Sequence, residues 1–319
     1  MKGTKEGTIS VLIPAFNAES VIKETLASVL NQTMPPDEII VLDDGSSDNT
    51  VGIVETFAPR VKLVRQANKG HIEARNILFR LAKGDLIACL DHDDLWHPKY
   101  LEVQYQMSQR YPNAVIYYTA FENIKENQRW APKEDALLSS HHALIKPKEF
   151  LLKYNKACGF ILPSFCVFRG EVLRQLSGNL FPDVYLWYRL ALVGPFAESG
   201  ARLGGYRLVQ TSLSSDRLWA YKKRLEAMQQ IVELYTKVAP TCMLKVARDF
   251  LAASYRLYGK HLMGVGDVTE ARRVFKAGLR RSFRMKTLIL LVTTFLPTSL
   301  QPKWPQRQRV YPFKSTKTS

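Results

Sequence analysis

Ile9-Ser10-Val11-Leu12-Ile13-Pro14-Ala15-Phe16-Asn17 and Glu38-Ile39-Ile40-Val41-Leu42-Asp43-Asp44-Gly45-Ser46-Ser47-Asp48-Asn49-Thr50 are the two stretches on which the fold turns. Each is a short, continuous apolar run that stops abruptly in polar residues, the pattern of a strand buried on both faces. Between them Val21, Ile22, Leu26, Val29 and Leu30 recur at helical spacing until Pro35-Pro36 ends the helix. The alternation continues outward, with strands expected over 61–64, 86–90 and 114–118 and a helix over 72–82 that Gly84 closes. Alternating strand and helix with apolar strands argue an α/β fold built on a doubly wound, mostly parallel sheet. In such sheets ligands bind beyond the carboxyl ends of the strands.

What stands beyond those ends is polar and unusual. Pro14-Ala15-Phe16-Asn17 follows the first strand, Asp43-Asp44-Gly45-Ser46-Ser47-Asp48-Asn49-Thr50 the second, and Asp91-His92-Asp93-Asp94 the run at 86–90. Crowded carboxylates repel, so they call for a cation, a hydrogen-bonding ligand or abundant water. Turn formation and helix capping offer a second account of Ser46 and Asp48. A DxD element at a strand end suits Mg²⁺ or Mn²⁺, which take oxygen ligands and often combine one or two carboxylates with phosphate oxygens. An extended backbone would put Asp91 and Asp93 on one side, where a nucleoside diphosphate could bridge protein and metal. The cation would then neutralise charge on a departing diphosphate. Asp44 offers a carboxylate to a base N–H, and Phe16 an aromatic face for stacking.

Taken together and in order, IPAFNAES, a helix ending in LNQT, EIIVLDDGSSDNT, NKGHIEARN and ACLDHDDLWHP resemble the family 2 glycosyltransferases, over residues 10–214. The resemblance implies a GT-A fold, and transfer of a sugar from a nucleotide-diphosphate donor to a hydroxyl acceptor with inversion, assisted by Mg²⁺ or Mn²⁺. It places Pro14, Phe16, Asn17, Asp44, Arg75 and Asp91 in the donor site and makes Asp93 the principal metal ligand with Asp91 beside it. Phe16 stands where the family often has Tyr. Arg75 has an alternative role as a helix-surface anchor, and Asp94 either meets the donor sugar or shapes its loop. Inversion also needs a general base. The match to the family's acid before a Leu-Trp-x-Arg-Leu helix is Asp183, in Phe181-Pro182-Asp183-Val184-Tyr185-Leu186-Trp187-Tyr188-Arg189-Leu190. Pro182 and Tyr185 replace residues that are usually acidic, and Asp183 can also be read as a helix N-cap. Trp187 shares a face with Leu190 and Ala191, which points to the core. Val209 stands where members often have His, leaving Arg207, Gln210 and Ser212 as candidate substitutes.

Charge and composition divide the chain. The 319 residues carry a net +16, yet residues 1–200 have 22 basic and 23 acidic side chains, and residues 201–319 have 23 and 6. The expected division is 1–215, catalytic, and 216–319, basic and helical. Tyr255, Tyr258, Gly259, Leu262, Gly266, Ala271 and Phe275 suggest one helical hairpin. Arg272, Arg273, Lys276, Arg280, Arg281, Arg284 and Lys286 then lead into the apolar stretch 288–296. A basic helix followed by an apolar segment fits an anionic membrane interface; a solvated helix with a buried C-terminal helix is the other reading. No recognised nucleic-acid motif occurs, so no nucleic acid is expected.

Cys89, Cys158, Cys166 and Cys242 have no CxxC spacing, and Cys89 and Cys166 lie in apolar runs as core thiols do. MKGTKEGTIS has no apolar h-region and the run 287–296 is too short to span a bilayer, so the expected place is the cytoplasm, as a peripheral protein on the inner face of the plasma membrane. The expected partners are a nucleotide-sugar donor and a glycan or lipid-linked acceptor, in surface polysaccharide or glycolipid assembly. A catalytically degenerate nucleotide- or glycan-binding scaffold is the alternative. A nucleotidyltransferase would need a Gly-rich phosphate loop after the first strand, and Pro14-Ala15-Phe16-Asn17 is not one.

Overall fold

The computed structural model describes residues 7–125, 128, 130–132, 141–157, 160–176, 183–208, 217–282 and 284–296. The chain divides into two compact units, Met1–Val209 and Gln210–Ser319. The boundary expected at 215/216 falls in 209–216, outside the described residues, as do Pro182, Val209, Gln210, Ser212 and Cys158.

The first unit is built on a sheet in the order β3-β2-β1-β4-β8-β6-β9-β5, with β7 against β9. Strands β1 (Ile9–Ala15), β2 (Glu38–Asp43), β3 (Lys62–Arg65) and β4 (Leu86–Cys89) are the expected apolar runs. They pair in parallel throughout. Helices α1 (Ile22–Leu30), α2 (Thr50–Glu55) and α3 (His71–Leu81) make the crossovers. Beyond β4 the sheet is mixed rather than mostly parallel. Strand β8 (Cys166–Arg169) runs antiparallel to both β4 and β6 (Ile116–Lys125), while β9 (Phe196–Leu208) runs parallel to β6. Short β5 (Leu95–Trp96) and β7 (His142–Ile145) pair antiparallel with β9. Apolar periodicity reports burial, which both pairing directions share, and so it did not separate them.

Helices α4 (Tyr100–Arg110), α5 (Pro147–Lys156), α6 (Gly170–Gln175) and α7 (Asp183–Ala191) complete this unit. Val11, Ile13, Leu26, Val41 and Ala88 close one continuous core. Trp187 is fully buried and stacked on Phe168, the core position its helix face implies. Cys89 and Cys166 are buried free thiols.

The second unit is helical: α8 (Arg217–Val238), α9 (Thr241–Gly264), α10 (Val268–Arg281) and α11 (Met285–Thr293). The expected hairpin is α9 with α10. Gly259 is the residue that permits it, because a Cβ there would stand 2.3 Å from the Phe275 ring. Asp267 caps α10 by accepting the Glu270 N–H at 3.0 Å. No helix among the described residues is long and apolar enough to cross a membrane.

Candidate active site

The carboxyl ends of β1, β2 and β4 converge, and the residues beyond them lock to one another. The Asn17 N–H donates to Ser46 Oγ (2.9 Å), and Asn17 Oδ1 accepts from the Ser47 N–H (2.9 Å). Those bonds hold Asn17 at φ +48°, a left-handed backbone that Asn tolerates better than most residues. Asp48 accepts from the Glu19 N–H (3.0 Å) and the Thr50 N–H (3.0 Å), and the Asn49 N–H donates to Glu19 (2.9 Å). Asp48 thus closes a local turn at the head of α2, the second of its two sequence readings, while Ser46 Oγ ties the first loop to the second. Phe16, at the tip of the first loop, is largely exposed and presents its ring to solvent.

Asp43 and Asp44 are both buried at the end of β2. The Asp43 carboxylate accepts the Ser46 N–H, closing a local turn (3.2 Å). The Asp44 carboxylate is filled by three donors: Gln66 Nε2 (2.6 Å) and the Lys69 N–H (2.9 Å) on Oδ1, and the Gly70 N–H (2.8 Å) on Oδ2. It therefore fastens the β3–α3 loop to the end of β2. Gly45 (φ +80°) makes room for that loop, since a Cβ there would lie 2.8 Å from the Asn68 nitrogen.

Asp91-His92-Asp93-Asp94 is a turn rather than an extended strand end. The Asp94 N–H returns to the Asp91 carbonyl at 3.1 Å, so the alternation expected to align Asp91 with Asp93 does not apply. Side chains fix this turn from several elements. Ser164 Oγ accepts the Asp91 N–H (3.1 Å), Thr25 Oγ1 donates to the His92 carbonyl (2.7 Å), and His92 Nδ1 lies 3.2 Å from the Pro14 carbonyl.

Two cations govern the turn. Arg75, on α3, places one terminal nitrogen 2.5 and 2.6 Å from the two Asp91 oxygens, and the other 3.3 Å from Asp183 Oδ1. A single guanidinium thus bridges the DxD turn to the first residue of α7. Burial lowers the pKa of Arg75, but Asp91 and then Asp183 override it and leave the guanidinium more firmly charged than usual. Arg207, at the end of β9, is buried beneath the turn. Its N–H donates to Asp94 Oδ1 (3.0 Å), its Nε to the Asp93 carbonyl (2.9 Å), and a terminal nitrogen pairs with Glu24 at 2.6 Å. The sequence offered Arg207 as a substitute phosphate contact; the structure makes it the clamp under the acidic turn.

The acids differ in consequence. Burial raises the Asp91 carboxyl, but Arg75 outweighs it and holds the pKa below the ordinary value. Burial pushes Asp93 up, with Asp91 adding to the effect and His92 and Arg207 opposing it. Asp94 is pushed well up by burial and by Asp93 and Asp91, and its buried Oδ2 has no hydrogen-bond partner among the described residues. Asp183, its side chain 36% exposed, is raised by burial and by Asp91, with Arg75 pulling the other way.

His71 was not singled out from sequence. It opens α3 one turn before Arg75, on the same face. Burial, then Arg75, lowers its pKa to about 4, so the imidazole is neutral at physiological pH. Its signal was present in NKGHIEARN, as the only titratable side chain between Gly70 and Glu73. Ser164, Gln66 and Glu24 had no comparable signal.

Residues 10–177 match the model of Glycosyl transferase family 2. The chain belongs to glycosyltransferase family 2. UDP-Glc:alpha-D-GlcNAc-diphosphoundecaprenol beta-1,3-glucosyltransferase WfgD of Escherichia coli is 31% identical over 237 residues, covering 70% of this chain and 87% of the relative. The putative teichuronic acid biosynthesis glycosyltransferase TuaG of Bacillus subtilis (strain 168) is 28% identical over 248 residues, 76% and 95% of the two chains. Among solved structures, S. aureus TarS 1-349 in complex with UDP-GlcNAc superposes with a TM-score of 0.67 at 16% identity, covering 90% of this chain and 84% of that one. A mannosyltransferase of Pyrobaculum calidifontis, solved with GDP-Man and Mn²⁺, reaches 0.54 at 15% identity, covering 91% and 85%. These two likenesses establish the GT-A fold expected from the sequence. This glycosyltransferase carries Arg75, Asp91 and Asp93 inside the matched family region and Asp183 six residues beyond its end.

Proposed function

We propose that this family 2 glycosyltransferase moves a sugar, with inversion, from a nucleotide-diphosphate donor to a hydroxyl of a glycan or lipid-linked acceptor, in cell-surface polysaccharide or glycolipid assembly. The observation that supports the reading is the Arg75 bridge, through which one guanidinium contacts both the acid at the head of α7 and the first acid of the DxD turn. Phe16 stacks the donor base. Pro14, Asn17 and Asp44 shape its pocket, Asp44 through the loop it fastens. Arg75 and Asp91 border the diphosphate.

Asp183 is the general base. It accepts the acceptor hydroxyl's proton as the oxygen attacks C1 and the C1–O bond to the diphosphate breaks, the electron pair leaving with the nucleotide. Its raised pKa makes it a better proton acceptor than an ordinary carboxylate, and Arg75 keeps it ionised. Both Asp91 oxygens are engaged by Arg75, which leaves Asp93 as the carboxylate of the pair available to a divalent cation. No three His, Cys, Asp or Glu side chains among the described residues converge on one point. A cation held by one or two carboxylates takes its remaining ligands from phosphate and water. Asp93, with Asp91 beside it, would hold Mg²⁺ or Mn²⁺, which when bound supplies positive charge to the departing diphosphate.

The transferred group is a hexose-type sugar, and the protein acts as a peripheral enzyme on the inner face of the plasma membrane, its basic second unit directed to anionic lipid. WfgD, by its name, acts on a diphosphoundecaprenol-linked sugar, and a lipid-linked acceptor of that chemistry suits such a location. The test is a panel of nucleotide sugars incubated with the enzyme and a polyprenyl-diphosphate sugar, with Mn²⁺ and with chelator. One donor should be consumed, with nucleoside diphosphate released and the product sugar inverted, and chelator should stop it. Nucleotide binding without consumption of any donor would favour the degenerate scaffold.

A further inference from the structure

Helix α1 reaches the DxD turn with two consecutive residues. Thr25 is fully buried, and its Oγ1 donates to the His92 carbonyl at 2.7 Å, on the residue before Asp93. The next carbonyl, that of Asp93 itself, accepts Arg207 Nε at 2.9 Å, and the same guanidinium pairs with Glu24 at 2.6 Å. Thr25 therefore holds one carbonyl directly, and Glu24 holds the following one through Arg207. Neighbouring helical side chains leave the axis roughly 100° apart, so Glu24 points away from the side on which Thr25 meets the turn. The arginine arriving from β9 spans that difference.

Glu24 and Arg207 differ in their surroundings. The Arg207 side chain is 4% exposed and that of Glu24 44%. A buried cation needs a counter-charge and a full set of acceptors. The guanidinium is planar and rigid, so a bond at each of two of its nitrogens fixes its plane. Glu24 supplies one of these bonds and the Asp93 carbonyl the other. On the far side of Asp93, the Asp94 N–H returns to the Asp91 carbonyl at 3.1 Å, and the Asp94 carboxylate accepts the Arg207 N–H at 3.0 Å. The backbone is thus tied down before and after Asp93, which leaves its side-chain torsions to aim the carboxylate.

Polar contacts continue past the turn. Ser28 Oγ accepts the Trp96 N–H at 3.3 Å. Gln32, just beyond the end of α1, donates to the His97 carbonyl at 2.8 Å and accepts the Leu101 N–H at 2.9 Å. These bonds hold β5 and the head of α4 rather than the acidic turn. They separate what the segment needs for its fold from what Asp93 needs for its aim.

We propose that Glu24 and Thr25 are positioning residues for Asp93, which fix the two carbonyls about it and so hold its carboxylate ready for a divalent cation. Partners that orient a ligating group raise metal affinity without touching the metal. The proposal rests on the reading of Asp93 as the metal ligand.

The test is Mn²⁺ binding to the full chain, read from the electron paramagnetic resonance signal of free Mn²⁺, with UDP and separately with GDP, beside thermal midpoints. Thr25→Val keeps the volume and removes the donor, and Glu24→Ala removes the partner of Arg207. Each should bind Mn²⁺ about 10–100-fold more weakly than the wild type. Thr25→Ser and Glu24→Gln keep the donor and the acceptor oxygen and should bind as the wild type does. Gln32→Ala should lower the thermal midpoint and leave Mn²⁺ affinity unchanged, which a merely structural role for α1 does not predict. Glu24→Asp, one methylene short of Arg207, is the second variant if Glu24→Ala misfolds. Wild-type affinity in Thr25→Val and Glu24→Ala overturns the positioning role, as does an equal loss in Gln32→Ala or a failure of Thr25→Ser to restore binding. A wild type that binds no Mn²⁺ overturns the metal reading itself, and this proposal with it.

Discussion

Two acidic turns end two strands of one sheet, and they are built on opposite principles. Asp43-Asp44 after β2 is satisfied by N–H donors: Ser46 on one carboxylate, and Gln66, Lys69 and Gly70 on the other. Asp91-His92-Asp93-Asp94 after β4 is held by two arginines: Arg75 from α3 with its guanidinium on the Asp91 carboxylate, and Arg207 from β9 with its Nε on the Asp93 carbonyl and its backbone N–H on Asp94. A carboxylate with its lone pairs filled by N–H donors is a fastener. A cluster in which one guanidinium holds Asp91, and in which Asp94 Oδ2 has no hydrogen-bond partner among the described residues, retains binding capacity. Both turns are rich in aspartate, and their partners distinguish them.

Arg207→Met breaks the second turn and leaves the first untouched. Truncating a buried, paired cation should lower unfolding stability by on the order of 3 kcal/mol, read as a shifted denaturant midpoint. Nucleotide affinity should fall with it, because the Asp93 carbonyl loses its side-chain donor while Asp94 keeps the backbone N–H of position 207. Asp93→Ala should reduce transfer about 10²–10³-fold by removing electrostatic support for the leaving diphosphate, and residual activity should no longer depend on Mn²⁺ concentration. Asp44→Ala should cost about 1–3 kcal/mol of stability by stranding buried N–H groups, an effect on fold that donor saturation does not rescue in full.

The smallest effect discriminates most finely between the turns. Asp94→Asn keeps the oxygen that accepts the Arg207 N–H and removes a carboxyl that burial has pushed well above its ordinary pKa. A folded-state pKa above the unfolded one means the native state holds the proton longer, so stability falls as pH rises from the ordinary carboxylate range through the folded value. Asp94→Asn should therefore change stability by less than about 1 kcal/mol at neutral pH, and should flatten that fall in thermal midpoints measured from acid to neutral pH.

The β1–α1–β2 frame and both acidic turns were legible in the sequence because each is local: apolar run, polar stop, helical period. The Arg75 bridge was half legible. ARN and the acid before Leu-Trp marked the residues, but nothing local shows that positions 75 and 183 meet. The Arg207–Glu24 pair spans 183 residues and has no local signature, so the sequence offers Arg207 only as one of three candidate substitutes for a His at position 209. Strand direction beyond β4 was hidden for the same reason: β8 enters between β4 and β6 from far along the chain. Loop fasteners such as Gln66 and Ser164 are ordinary polar residues until the fold aims them.

In the proposed reaction Asp183 is the base, across the Arg75 bridge from the DxD turn. Its most direct test is the turnover of Asp183→Asn, measured beside donor affinity. Asn keeps the shape and an oxygen for Arg75 but cannot take a proton. Turnover should fall about 10²–10⁴-fold with nucleotide-sugar affinity unchanged, and the wild-type rate should rise with pH through an ionisation above that of an ordinary carboxylate. Wild-type turnover by Asp183→Asn, with donor bound as before, would contradict the assignment and move the base elsewhere.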